Sequence, residues 1–135
     1  MLIRRAVIED AEKLAAVHVQ SWRETYDEII EKDYLDGLNV EERVQFWSSR
    51  LTSPKNGLFV FVAENEAGEL VGFASFGNER TQQYKIDSEL MAIYILKKYK
   101  RGKIGTQLLF EGLKEMVYQG KNSLLVWVLA NNPSR

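Results

Sequence analysis

The chain has no cysteine and only one histidine, His18, in 135 residues. Without cysteine there is no disulfide, no thiolate nucleophile and no cysteine-ligated metal. One histidine leaves a His-rich metal site or a Ser-His-Asp triad almost nothing to build with. A lone histidine at helical spacing reads first as a packing or surface residue. No apolar run reaches the length of a membrane span. The start, Met1-Leu-Ile-Arg-Arg5, lacks the apolar core of a signal peptide and reads as a strand. No internal repeat or low-complexity tract is visible. The formal net charge is −1, so no global field draws the chain to nucleic acid or to an anionic membrane. A reducing, cytoplasmic home fits these absences, and neither nucleic acid, membrane nor metal is expected as a partner.

What is present is an ordinary globular composition, 45% hydrophobic and 27% charged. The expectation is a single domain over residues 1–135, long enough to bury a core. Leu2 to Val7 reads as a short strand. Glu9-Asp10 places acids in the first turn of a helix, along which Leu14, Val17-His18, Ser21-Trp22 and Tyr26 recur at helical spacing. Asn39-Val-Glu-Glu42 has the capping-box pattern, and Val40, Val44, Trp47 and Leu51 line one face of a second helix. Ser53 to Gly57 ends it. Leu58 to Glu64 and Leu70 to Phe76 are strand runs, joined by the hairpin turn Asn65-Glu-Ala-Gly68. Ser88 to Leu96 is a further strand. Gly105 to Gln119 is a helix, with Leu108, Leu109, Phe110, Leu113, Met116 and Val117 assigned to its apolar side. Gly120-Lys-Asn122 stops it, and Leu124 to Ala130 is the last strand. The order β-α-α-β-β-β-α-β argues for an α+β layered fold, its sheet mostly antiparallel with one parallel crossover.

The most informative segment is residues 86–106. An apolar strand run feeds a basic, glycine-containing turn, which opens into a helix near Gly105. Five cations crowd that turn: Lys97, Lys98, Lys100, Arg101 and Lys103. The first N–H groups of a helix lack internal partners, and the helix dipole favours negative charge there. Such a turn suits a polyanion such as the diphosphate of a nucleotide-containing cofactor. A solvated lysine-rich loop is the plain alternative. No Gly-x-x-x-x-Gly-Lys-Ser/Thr P-loop occurs, and Gly102 and Gly105 lack the third glycine of a dinucleotide fingerprint.

The run Glu89-Leu-Met-Ala-Ile-Tyr-Ile-Leu-Lys-Lys-Tyr-Lys-Arg-Gly-Lys-Ile-Gly-Thr-Gln-Leu-Leu109 resembles motif A of the GCN5-related N-acetyltransferase (GNAT) superfamily. That motif reads Gln/Arg-x-x-Gly-x-Gly/Ala, after a strand and before a helix. Lys100, Lys103 and Gly105 stand at the matching positions. The final glycine is kept, the first position is Lys, and the middle glycine is displaced to Gly102. Ile3 to Leu14, Val60 to Phe76 and Asn131-Asn-Pro-Ser-Arg135 also resemble this superfamily, so the likeness spans the chain.

The resemblance implies an acetyl-CoA-dependent N-acetyltransferase acting by direct transfer on a primary amine of a small molecule or peptide. Such a reaction requires alignment of thioester and amine, a proton acceptor, and stabilisation of developing charge on oxygen. By the same likeness, the backbone of Ile93, Tyr94 and Ile95 holds the cofactor arm. Lys100, Arg101, Gly102, Lys103, Ile104, Gly105 and Thr106 hold the diphosphate, and Asn132 contacts the arm. Glu89, eleven residues before Lys100, stands where histone-type members carry their base; its alternative is a solubilising charge at a strand end. Trp22, Tyr26 and Tyr34 fall where resembling enzymes bind the acceptor, although Trp22 also fits core packing in register with Leu14 and His18.

In resembling proteins the segment after the fifth strand leads into another helix, with a general-acid tyrosine, and at least one more strand. The expected sheet therefore lacks its final helix and strands. Two readings of this compete: a truncated or degenerate member, and a chain whose sheet a second chain completes. The alternative function is correspondingly a catalytically weak or dead CoA-binding or interaction module. Self-association through the exposed C-terminal sheet region is expected as well.

Overall fold

The computed structural model of the protein describes residues 1–26, 40–55, 57–79, 86–100 and 102–126, without the side chains of Thr25 and Tyr26. Its elements run β1 (Leu2–Arg5), a 3-10 turn (Ile8–Asp10), α1 (Ala11–Tyr26), α2 (Val40–Thr52), β2 (Phe59–Glu64), β3 (Leu70–Asn78), β4 (Ser88–Ile95), a 3-10 turn (Lys97–Tyr99), α3 (Ile104–Tyr118) and β5 (Leu124–Val126). The five strands form one sheet in the order β1-β2-β3-β4-β5. Neighbours pair antiparallel except β4 and β5, which are parallel. This is the expected α+β topology. The first strand ends at Arg5 rather than Val7, because Asp10 turns the chain there. Its carboxylate accepts the Val7 N–H at 2.8 Å and the two Arg4 guanidinium N–H groups at 2.8 Å each. A charge-assisted fork of this kind fixes direction as well as energy.

The β2–β3 hairpin sits at the centre. Asn65 Oδ1 accepts the Ala67 and Glu69 N–H groups at 3.0 and 2.9 Å, and Gly68 supplies the positive φ of +81° that closes the turn. Both strands are buried almost throughout, because both sheet faces are covered. On one face α1 and α2 pack Leu14, Val17 and Trp47 against Val60, Val62 and Phe73. On the other, α3 packs Ile104, Leu108 and Met116 against Phe59, Phe61, Ala74 and Phe76.

The packing of α3 corrects the sequence reading. The stripe facing the sheet is Ile104, Leu108, Gly112 and Met116. Phe110, Leu113 and Val117 are 58%, 38% and 73% exposed. At about 100° per residue they lie roughly 140–200° round the helix from Leu108. The reason is Phe76, whose ring lies where a side chain at Gly112 would go; a Cβ there would stand 2.1 Å from the ring. The helix is apolar on two sides, and the glycine, not the hydrophobic pattern, selects which side is buried. Its C-terminus follows the expected stop: Gly120 adopts φ +83°, and Lys121 N–H bonds back to Met116 C=O at 2.9 Å. The capping box led by Asn39 lies outside the described residues.

Candidate active site

The exit from β4 builds the basic turn. Leu96 N–H donates to Val71 C=O at 2.9 Å, and Tyr99 N–H to Leu96 C=O at 2.8 Å, which starts the tight turn. Glu24 Oε1 accepts the Lys97 N–H at 2.8 Å and so ties the end of α1 to this corner. Lys103 then takes the left-handed conformation, with φ +64° and ψ +9°. The first hydrogen bond of α3 is Gln107 N–H to Lys103 C=O at 3.0 Å. The N–H groups of Ile104, Gly105 and Thr106 thus precede the helical ladder and gather at its N-terminus. The helix begins at Ile104, one residue before the sequence boundary.

Gly105 keeps this corner open. A Cβ on it would meet only Ile95 Cδ1 at 3.1 Å and Ile93 Cδ1 at 3.9 Å. Lys97, Lys98, Lys100 and Lys103 surround the turn and are exposed. A diphosphate fits this donor set: backbone N–H groups, the positive end of a helix, and cations able to close over it. Of the predicted cofactor residues, the structure brings Lys100, Gly102, Lys103, Ile104, Gly105 and Thr106 into this one corner. Arg101 and Asn132 lie outside the described residues.

Strand β4 divides the site into two faces. Opposite β3 a bulge falls between the pairs Ser75↔Ala92 and Phe76↔Leu90, so that Met91 is the extra residue. Leu90 and Ile95 pack on the α3 side, whereas Met91, Ala92 and Tyr94 pack on the α1–α2 side. Alternation from Leu90 turns Glu89 to the α1–α2 side. That carboxylate is fully buried, at the strand start, opposite Gly77. Ser88, Glu89 and Leu90 pair with Leu124, Leu125 and Val126 of β5. Residues 91–95 lead from there to the basic turn. The predicted arm-binding residues Ile93, Tyr94 and Ile95 occupy this stretch.

Behind β4 lies an aromatic cluster, gathered from four elements, that sequence reasoning missed. His18 is buried, its ring 5.1 Å from Tyr94, 5.6 Å from Phe73, 5.8 Å from Trp47 and 5.9 Å from Trp22. Trp47 Nε1–H donates to His18 Nδ1 at 3.3 Å. That places the imidazole proton on Nε2. Burial, helped by the charge of Arg43, pulls the His18 pKa down to about 4, so the ring is neutral at pH 7. Trp22 Nε1–H donates to the Tyr94 hydroxyl at 2.9 Å. The predicted acceptor residue Trp22 is thus joined to a predicted cofactor residue across the sheet–helix gap. The side chain of Tyr26 and all of Tyr34 lie outside the described residues.

A cavity of about 130 Å³ opens between α2 and β4. Its walls are Phe46, Trp47, Leu58, Met91 and Ala92, with His18 and Ser75 at polar points and Arg50 at the edge. Its one signal in the sequence is the spacing of Val40, Val44, Trp47 and Leu51 along one face of a helix, and of these only Trp47 lines the cavity. Among the described residues no group of three His, Cys, Asp or Glu is arranged to hold a metal ion.

Known proteins are similar to this chain over most of its length. The model of the Acetyltransferase (GNAT) family matches residues 12–135. An uncharacterized N-acetyltransferase of Bacillus subtilis, YuaI, is 46% identical over 132 residues, covering 98% of this chain and 73% of that protein. A spermidine N(1)-acetyltransferase of Thermoplasma acidophilum is 28% identical, over 87% of this chain and 71% of that protein. Among solved structures, the PaiA N-acetyltransferase of Thermoplasma acidophilum in complex with coenzyme A superposes with a TM-score of 0.78 at 25% identity, covering 98% and 81% of the two chains. A strand that runs through a basic turn into a cationic helix N-terminus thus has its explanation: the chain belongs to the Acetyltransferase (GNAT) family and is an N-acetyltransferase that takes its acetyl group from acetyl-CoA.

Proposed function

We propose that this chain acetylates a primary amine at the β4 corner, with each side of the strand given its own task. The diphosphate of the cosubstrate lies on the N–H groups of Ile104, Gly105 and Thr106, within reach of Lys100 and Lys103. Its arm follows the backbone of Ile93, Tyr94 and Ile95. Acetyl-CoA supplies an already activated acyl group, so the protein's work is alignment and proton handling. The amine approaches from the α1–α2 side, past Met91 and Ala92. Glu89, on that side of the strand, accepts the amine's proton directly or through water. The tie between Trp22 and Tyr94 and the bond from Lys97 N–H to Glu24 hold α1 against β4 and keep the two halves in register.

The observation that carries this reading is the conjunction at one corner of a helix N-terminus, an open Gly105 and the cations Lys97, Lys98, Lys100 and Lys103 at the end of β4. Gly105→Glu places a side chain and a negative charge where the diphosphate binds. Calorimetry should show loss of CoA binding in a folded protein, and unchanged affinity would overturn the assignment. Glu89→Gln should lower kcat by about 10²-fold and leave CoA affinity intact. A cytoplasmic location goes with this reading, since the cosubstrate must be supplied there, and cell fractionation tests it. The expected single domain and self-association through the C-terminal sheet region rest in part on residues 127–135, which lie outside the described residues.

A further inference from the structure

The α2–β4 cavity carries a more specific statement, which rests on the acetyltransferase reading above. We infer that the acceptor is a small amine with one aromatic ring and a carboxylate, rather than a polycation. Shape comes first. A volume of about 130 Å³ is close to that of an engineered cavity, about 150 Å³, which takes up benzene. It has room for one six-membered ring. Its walls are those an aromatic ring prefers: Phe46 and Trp47 cross at 88° with centroids 5.3 Å apart, and Met91 offers a polarizable thioether.

Charge comes second. The cavity opens into a groove of about 770 Å³ that shares Phe46, Arg50 and Met91 and adds Lys55. Arg50 lies over the Phe46 ring at 4.2 Å, with Arg43 on the same ring at 5.1 Å. No carboxylate lines either space among the described residues. His18, with Nδ1 engaged by Trp47, carries no positive charge to offset and no carboxylate to offer. A polyamine or aminoglycoside would bring two or more ammonium groups against guanidinium, with no carboxylate among the described lining of either space to pair them. A carboxylate at the mouth instead meets the flat fork of Arg50, the geometry in which arginine binds best. With the ring inside and the carboxylate on Arg50, the amine lies along Met91 and Ala92, on the strand that carries the proposed arm-binding residues.

The test measures binding separately from turnover. L-phenylalanine, phenethylamine and spermidine are titrated into the CoA-saturated protein, with calorimetry and tryptophan fluorescence as readouts; Trp47 lines the cavity. L-phenylalanine should bind best. Phenethylamine, which lacks the carboxylate, should bind about tenfold more weakly or worse. Arg50→Ala should abolish that difference and Arg50→Lys restore part of it, each with CoA affinity unchanged. Thermal melts establish that both variants fold. Acetyl transfer, followed by thiol release, should rank the amines in the same order. Spermidine binding as well as or better than L-phenylalanine would overturn the inference. So would failure of L-phenylalanine to bind the CoA-loaded protein, or an Arg50→Ala variant with the preference intact. Loss of CoA binding alone would instead count against the cofactor-corner assignment.

Discussion

Lys103 is the one non-glycine residue with positive φ among the described residues, and its replacement gives a test with a sign. A left-handed conformation costs an L-residue about 1–2 kcal/mol. Glycine escapes that cost but loses about 0.5–1 kcal/mol to its extra freedom in the unfolded chain. At this position Lys103→Gly should therefore be more stable than Lys103→Ala by roughly 0.5–1 kcal/mol. In an ordinary helical or extended conformation the order reverses, with alanine ahead by roughly the same amount. For a chain of this length the difference is about 2–5 °C in melting temperature. The two variants lose the same ammonium, so the comparison cancels its charge. Thermal and urea unfolding of both proteins without CoA, followed by circular dichroism, reads the difference directly. Both should also bind CoA a few-fold more weakly than the parent, by an amount that shrinks as salt is raised. An alanine variant as stable as the glycine variant would refute the left-handed assignment. The account of how Ile104, Gly105 and Thr106 present their N–H groups would fall with it.

Three further outcomes are expected. Gly112→Ala gains about 1 kcal/mol of helix propensity but drives a methyl group into the Phe76 ring. The net effect should be destabilisation by about 1–3 kcal/mol, relieved in the double variant Gly112→Ala, Phe76→Leu; a neutral single variant would show that α3 sits farther from the sheet. The folded state holds the His18 pKa near 4, below the ordinary 6.5, so the unfolded chain takes up a proton that the folded one refuses. Its contribution to stability is full above pH 6.5 and lost as the pH falls from there toward 4; His18→Phe should flatten that part of the stability–pH curve, and an unchanged slope would contradict it. Trp22→Phe removes the hydrogen bond to Tyr94 and should raise the KM for the amine more than it changes CoA affinity, as separate titrations would show.

Local chemistry made much of this molecule legible in the sequence. Asn65 and Gly68 announce the hairpin because one supplies an acceptor for turn N–H groups and the other a positive φ. Gly120 marks the end of α3 for the same reason. The basic turn is legible because its cations all fall within residues 97–103. Features that depend on pairing between distant segments were not. The bulge that sends both Met91 and Ala92 to one face arises from register against β3, and strict alternation would have separated them. The buried face of α3 is set by Phe76, 36 positions from Gly112. His18 reads as an unremarkable helical histidine until Phe46, Trp47, Phe73 and Tyr94 arrive from other elements. The α2–β4 cavity likewise draws its lining from α1, α2, β3 and β4, so its chemistry has no contiguous signature.

The Arg4 side chain holds two carboxylates at very different reach along the chain: Asp10 is six positions away and Glu64 is sixty. Closing the short loop costs little entropy and closing the long one costs more. The Arg4–Asp10 fork can accordingly form while β1 is still apart from the sheet, so that β1 and the start of α1 move as one preassembled unit. The hairpin, with its contacts local in sequence, assembles independently. Docking of β1 along β2 then becomes the late step that joins the two ends of the chain's history. Kinetic measurements would show this as Asp10→Asn mainly slowing folding, whereas Glu64→Gln, which removes only the contact made on docking, mainly accelerates unfolding.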